Sequence, residues 1–368
     1  MPTPFGNFRM ARYPARGTEA LLGWCSADLL LLEEVHRRGL YDRQTLAVND
    51  AYGALSVALQ PQALWTDSAL SAIAMQRNAQ ANSRSAPPVL WSTQSPPPTP
   101  ELVVMRVPKL RPYFEFQLSR LARCLPPGAT VLVAGMDKHL SPHTAQLLER
   151  WIGPTERFRG QRKARMFRAI RDDRAAADLP ALARYYCEPL DASLQALPNV
   201  FSREQLDGGT RFLLQYLRRL DPVQSAIDLA CGNGVLGLFA AKHALAQTLL
   251  FCDESAMAVA SARANVEELF PDLRDRCSFH HGDGLRHFSG DPVQLILCNP
   301  PFHQEHTVND FAGRHLLNQC SRYLQPGGRL YLVANRHLDY SSALRREFRR
   351  VQTCASDARF TILMAQRD

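Results

Sequence analysis

The chain has 368 residues, more than one hydrophobic core usually supports, so two domains are expected. Its 46% hydrophobic and 21% charged content is that of an ordinary globular protein, while 43 Lys and Arg against 35 Asp and Glu favour a polyanionic partner. Nine scattered cysteines without a C-x-x-C pair argue against a disulfide frame or a zinc site; no apolar stretch follows Arg9, Arg12 and Arg16, and none reaches the roughly 18 residues of a membrane span, so a soluble cytoplasmic protein is expected.

In chain order, Ser26-Ala27-Asp28 leading an apolar run and closed by Gly39 predicts a capped helix. A strand over 46–50, a turn at Gly53 and a helix over 54–59 follow, then a strand over 64–67 and a helix over 68–81. Between 82 and 100 Ser and Pro dominate, which predicts an extended loop. A strand over 102–105, a helix over 113–124, a turn at Pro127-Gly128 and a strand over 130–134 come next.

The second half repeats this order. Residues 67–74 echo 253–260, 125–134 echo 324–333, and Ala164-Arg165-Met166-Phe167 echoes Ala358-Arg359-Phe360-Thr361, which predicts two copies of one α/β domain joined by a segment over about 173–199. The copies differ where chemistry would sit. In the first, only Gly53 stands where the second has three glycines, Ala47 replaces Asp228, and Arg106-Val107-Pro108-Lys109 lies near the place of Asn299-Pro300-Pro301-Phe302. The first copy is therefore expected neither to bind a cofactor nor to catalyse, but to recognise substrate or to act as scaffold. Arg157, Arg159, Arg162, Lys163, Arg165, Arg168, Arg171 and Arg174, interleaved with Phe158, Met166 and Phe167, form a strip that suits a phosphate backbone and unstacked bases, or a solvated hairpin face.

In the second copy, residues 201–211 with Gly208 and Gly209 lead into a helix over 212–220. The run Ile227 to Leu229 then ends in a turn, Ala230-Cys231-Gly232-Asn233-Gly234, that opens a helix and reads as a ligand cradle. Asp253 ends the next strand, where a parallel sheet places an acid on ribose hydroxyls, and Met257 is either core or a face for adenine. Asp283 in Gly282-Asp283-Gly284 either accepts from an adenine amino group or serves the turn. After a buried strand over 293–298 comes Asn299-Pro300-Pro301-Phe302-His303. The two prolines end the ladder, so the Asn299 side-chain oxygen and the Pro300 carbonyl can both accept from one planar amino group, with Phe302 stacking on its ring. Accepting both hydrogens frees the nitrogen lone pair for in-line attack on a sulfonium methyl, a catalysis of positioning and electrostatics. Cys298 reads as core, His303 as a substrate contact or turn cap, and no histidine spacing suits a metal.

These motifs resemble the class I S-adenosylmethionine-dependent methyltransferases, and more closely the bacterial ribosomal RNA guanine-N2 methyltransferases with a degenerate amino-terminal copy. Residues 135–140 and 334–340 are similar to the large-subunit branch, the methyltransferase G family. Ala230 departs from a place often held by glycine. The resemblance implies two tandem Rossmann-like domains, 1–185 degenerate and 186–368 catalytic, in a monomer that uses S-adenosyl-L-methionine to methylate N2 of one guanine in 23S rRNA. The expected catalytic residues are Asn299, Pro300, Pro301 and Phe302. The expected cofactor residues are Gly209, Asp228, Ala230, Cys231, Gly232, Asn233, Gly234, Asp253, Glu254, Asp283, Gly284 and Asn299; Arg162, Lys163, Arg165, Arg168 and His303 are expected on RNA. Methylation of 16S rRNA, of a protein glutamine or of a DNA adenine, and an idle RNA-binding assembly factor, are the competing readings.

Overall fold

A computed structural model describes residues 1–15, 22–175, 182–301 and 308–368, with 308–312 described in backbone only. The chain divides into two compact units, Met1–Ala181 and Leu182–Asp368.

The first unit runs β1 (Pro2–Thr3), β2 (Gly6–Asn7), α1 (Ser26–Arg37), β3 (Thr45–Val48), α2 (Ala54–Leu59), β4 (Ala63–Thr66), α3 (Ala69–Ala81), β5 (Val89–Trp91), β6 (Leu102–Arg106), α4 (Arg111–Cys124), β7 (Thr130–Met136), α5 (Thr144–Trp151), β8 (Thr155–Arg157) and β9 (Ala164–Ile170). Apart from the β1-β2 ribbon, its strands form one seven-stranded sheet in the order β5-β4-β3-β6-β7-β9-β8. The Ser- and Pro-rich stretch read as a loop contributes β5, a short strand parallel to β4 at the sheet edge, where prolines cost no ladder bond.

The second unit runs β10 (Ala183–Cys187), β11 (Ala192–Ala196), α6 (Gly208–Leu217), β12 (Val223–Leu229), α7 (Val235–Lys242), β13 (Ala246–Asp253), α8 (Ala256–Leu269), β14 (Cys277–His281), β15 (Val293–Cys298), α9 (Val308–Leu317), β16 (Leu324–Asn335), α10 (Tyr340–Leu344), β17 (Arg350–Ser356) and β18 (Phe360–Gln366). Its sheet order, β14-β13-β12-β15-β16-β18-β17, is that of the first unit strand for strand. In both, the first five strands are parallel, the sixth in the order runs antiparallel to them, and the edge strand pairs antiparallel with the sixth.

Residues 183–196 are no linker. They form the β10-β11 hairpin, whose Cys187, Leu190 and Leu194 enter the core with α6 and α7. Along β10 the partly buried Ala183 and Tyr185 and the buried Cys187 alternate with the exposed Arg184 and Tyr186, a strand period short enough to hide between charged residues. On β12 the same alternation sends Ala226 and Asp228 towards α7, and Ile227 and Leu229 into the opposite core layer with Ile296 and Leu332.

Cap chemistry also fixes how the copies correspond. Ser68 accepts from the Ser71 N–H and Ser255 from the Ala258 N–H, each serine capping the helix behind the second strand. The counterpart of Asp253 is therefore Thr66, one residue off the sequence echo, which had set Asp67 against it.

Candidate functional site

The site of the second unit is set by register. Leu229 lies opposite Cys252 on one side and Cys298 on the other, so the segments after β12, β13 and β15 leave the sheet side by side at its carboxyl edge. There the strand order reverses, which opens a crevice.

The β12-α7 turn is held from every side. Ala230 and Gly232 have φ of 57° and 55°, and Gly234 has φ of 85°, with space for a side chain closed by Ala262. That left-handed path explains why glycine suits position 230 and why Ala there is strained. The Gly232 N–H donates to the Asp253 carboxylate at 2.9 Å and the Gly237 N–H to Asp228 at 2.8 Å. From behind, the Asn265 side chain donates to the Asn233 carbonyl at 2.9 Å, and the Asn233 side chain donates to the Tyr185 hydroxyl at 3.1 Å. An added side chain at Gly232 would meet open space, so this face of the turn is free for a ligand.

Asp228 is fully buried, with one carboxylate oxygen unpartnered among the described residues; burial, reinforced by Asp253, pushes its pKa up to about 8 against the Gly237 hydrogen bond. It serves the turn from below. Asp253 is partly exposed, and its second oxygen accepts from the Ser255 N–H at 3.0 Å. Glu254 beside it is partly exposed, and its carbonyl faces His281 Nε2 at 2.9 Å. Burial raises the thiols of Cys231 and Cys298 far above the ordinary range, which suits packing and not nucleophilic attack. Met257 is fully buried.

Asn299 follows β15, whose ladder ends at Cys298. Its amide nitrogen donates to Asp207 at 3.0 Å and to the Thr210 hydroxyl at 2.8 Å, while its oxygen is buried without a partner among the described residues. With both hydrogens used, the amide has one orientation, and its carbonyl is left as a free acceptor. Asp207 also caps α6 by accepting from the Thr210 N–H at 2.9 Å. The helix therefore starts earlier than its apolar period suggests, and Gly208 and Gly209 form its first turn, where a side chain would crowd Phe360 and, at 209, the Asp207 carboxylate. Pro300 is buried and Pro301 exposed; Phe302 and His303 lie outside the described residues.

Asp283 is almost enclosed and receives His315 of α9 at 2.9 Å. Gly284 packs under the same helix, against Leu316 and Gln319. Asp207, Thr210, Tyr185, Asn265 and His315 went unread in the sequence. Only the Asp207-x-x-Thr210 spacing ahead of an apolar helix carries a local signal, that of a cap.

In the first unit, Val48 lies opposite Met105, which puts Arg106 where Asn299 stands in the second. Arg106 donates to Asp28 at 2.5 Å, and Asn49, the counterpart of Ala230, exchanges side-chain bonds with Gln117 at 2.8 and 2.9 Å. Protein groups thus occupy the matching crevice. The acid has not been lost with Ala47: Asp50 accepts from the Ser56 N–H at 2.7 Å, the bond that Asp228 makes to Gly237.

The basic strip lies on the β8-β9 hairpin. Arg171 is buried on the Ala122 carbonyl and Arg174 is tied to Asp172, so both are structural. Arg165 and Arg168 face Asp137 and Glu156 at 3.6 and 3.0 Å. At the tip, Arg162 and Lys163 have φ of 52° and 60° between the mutually bonded Gln161 and Ala164, a two-residue turn that ordinarily takes Asn-Gly. Among the described residues no cluster of three His, Cys, Asp or Glu could hold a metal, and no helix is long and apolar enough to cross a membrane.

Comparisons with known proteins bear on this geometry. The model of the RLMG N-terminal domain matches residues 1–173, and that of the methyltransferase small domain matches 191–364. Proteins named Ribosomal RNA large subunit methyltransferase G are similar over nearly the whole chain. Those of Alcanivorax borkumensis and Ectopseudomonas mendocina are each 38% identical across 99% of this chain, covering 96% and 99% of their own length. That of Pseudomonas aeruginosa PAO1 is 39% identical, covering 99% of this chain and 98% of its own. Among solved structures, the T. thermophilus 16S rRNA N2 methyltransferase, held with AdoMet and guanosine, superposes with a TM-score of 0.78 at 21% identity, covering 100% of this chain and 97% of that one, and so shares the fold.

Proposed function

Because the chain belongs to the ribosomal RNA large subunit methyltransferase G family, we propose that it methylates N2 of one guanine in 23S rRNA, with S-adenosyl-L-methionine as methyl donor. One observation carries the chemistry: the Asn299 amide is locked by Asp207 and Thr210 so that its buried oxygen, beside the glycine turn, has no partner among the described residues.

The residues fit the cofactor. Gly232 opens one face of the turn, and Asp253 stands partly exposed at the end of β13, where it suits ribose hydroxyls. Cys231, Asn233, Gly234 and Ala230 give the turn its path, Asp228 holds it from below, and Asp283 with Glu254 and Gly284 bounds the adenine end. When bound, S-adenosyl-L-methionine supplies an electrophilic sulfonium methyl. The chain's own work is on the acceptor: the Asn299 oxygen and the Pro300 carbonyl take the two hydrogens of the guanine amino group, which localises its lone pair, and Pro301 and Phe302 set the ring plane. Gly209 keeps the Asp207 carboxylate within reach of Asn299.

The first unit, with an ion-paired arginine at the place of Asn299, is left to recognise RNA through Arg162, Lys163, Arg165 and Arg168, while His303 meets the substrate in the second. A polar tip in a strained backbone fits that role, because an Asn-Gly turn would be more stable but could not reach phosphates. Ribosomal RNA as partner, action as a monomer and a cytoplasmic location belong to the same reading. Transfer of labelled methyl to purified 23S and 16S rRNA, with mapping of the modified base, tests it. Label on N2 of a 23S guanine is expected, and label in 16S rRNA or on another atom would overturn it.

A further inference from the structure

At the opposite end of the second sheet from Asn299, the segment leading into β16, the end of β18 and the turn between α10 and β17 line an open hollow of about 460 Å³. Arg322, Arg345, Arg346, Arg349 and Arg367 line it together with two acids, Glu347 and Asp368. Asp368 pairs with Arg349 at 3.2 Å, and Glu347 lines the hollow with the other four arginines.

The turn that carries three of these arginines is fixed. Phe348 is buried at 3% exposure and pins the turn, whose backbone is closed by Arg345 N–H on the Ser341 carbonyl at 3.0 Å and Phe348 N–H on the Leu344 carbonyl at 2.9 Å. Arg367 is anchored by its bond to the Leu324 carbonyl. With the stem of the turn fixed, Arg345, Arg346 and Arg349 project together, and ordering their forks costs less on binding. Five guanidinium groups against two acids leave the hollow net positive, which suits a polyanion.

We propose that this hollow binds the phosphodiester backbone of the substrate RNA at a second point, roughly 20 Å along the strands from the methyl-transfer crevice. The inference rests on the ribosomal RNA reading. A long RNA touches both places, whereas a stem-loop cut to too few base pairs to span roughly 20 Å reaches only the crevice.

The test is the full-length triple variant Arg345→Gln, Arg346→Gln, Arg349→Gln, its residues exposed and outside the core. Binding is measured against intact 23S rRNA and against a short stem-loop containing the mapped guanine, over a salt series, beside calorimetric binding of the cofactor. Losing three phosphate contacts is expected to flatten the log affinity against log salt slope for intact RNA by about 2 to 3 and to weaken binding at least about tenfold. Turnover on the stem-loop and cofactor affinity stay at wild-type values. An unchanged slope on intact RNA overturns the proposal. So does tight wild-type binding of inorganic phosphate or pyrophosphate that vanishes in the variant while RNA affinity holds, which would mark a small-anion site. Failure of the wild-type protein to methylate any ribosomal RNA would instead sink the parent reading, whatever the slope.

Discussion

Asp207 accepts a hydrogen bond from the Asn299 amide at 3.0 Å, and in the first unit Asp28 grips Arg106 at the same place at 2.5 Å. In both copies an acid at the start of a helix holds the residue at the carboxyl end of the central strand, Arg106 as the last of β6 and Asn299 just after β15; only in the second is that residue an amide, with an oxygen unpartnered among the described residues. Asn299→Ala should therefore abolish methyl transfer while cofactor affinity, read by calorimetry, stays near wild type. Thr210→Val, which keeps the Asp207 cap, should lower kcat on the order of 10- to 100-fold, as loss of a supporting partner does. Thr210→Ser should restore it, with KM little changed throughout. Full kcat in the valine variant would mean that the amide needs no clamp.

The tip of the β8-β9 hairpin sets stability against binding. Replacing Arg162→Asn and Lys163→Gly should relieve two left-handed non-glycine residues and stabilise the protein by about 1 kcal/mol or more. The exposed Arg162–Glu33 pair lost in the exchange contributes about 0–1 kcal/mol. RNA affinity should fall and its salt dependence flatten. A stabilised variant that binds RNA as tightly as wild type would return the strip to a solvated face.

Asn265 donates to the turn carbonyl of Asn233, and Asn78 makes the matching bond to Tyr52 at 2.8 Å. Both side chains are buried. Each alanine variant should cost about 1–3 kcal/mol in denaturant unfolding, because backbone groups lose their partners. Only Asn265→Ala should weaken cofactor binding in calorimetry. A comparable loss of cofactor affinity in Asn78→Ala would show that the first crevice takes part after all.

How far the sequence could be read follows from these residues. The glycine turn, the acid of Asp253 and the Asn-Pro-Pro run are local patterns, and so was the duplicated order of elements. Asp207 is 92 residues from Asn299, and Asn265 is 32 from Asn233, so no local period joins them. The retained acid of the first copy was missed because Asp50 sits three residues beyond Ala47, on the turn and not the strand, yet reaches the same helix N–H. The β10-β11 hairpin was taken for a linker because its alternation spans only five residues per strand among charged neighbours.

Asp228 makes the stability of the protein depend on pH in a direction opposite to that of most carboxylates. Its folded pKa is raised to about 8 by burial and by Asp253, whereas an unfolded Asp titrates near about 4. The folded state thus holds a proton that the unfolded state releases. The stabilisation from this group is fully present below about pH 4 and is lost as pH rises towards 8. Asn at this position can still accept from the Gly237 N–H and carries no titrating proton. Denaturant unfolding of cofactor-free protein at pH 5, 7 and 9 should therefore show wild type losing stability relative to Asp228→Asn at each step. A difference between the two that stays constant across this range would mean that Asp228 remains ionised in the folded protein, held by the Gly237 N–H alone.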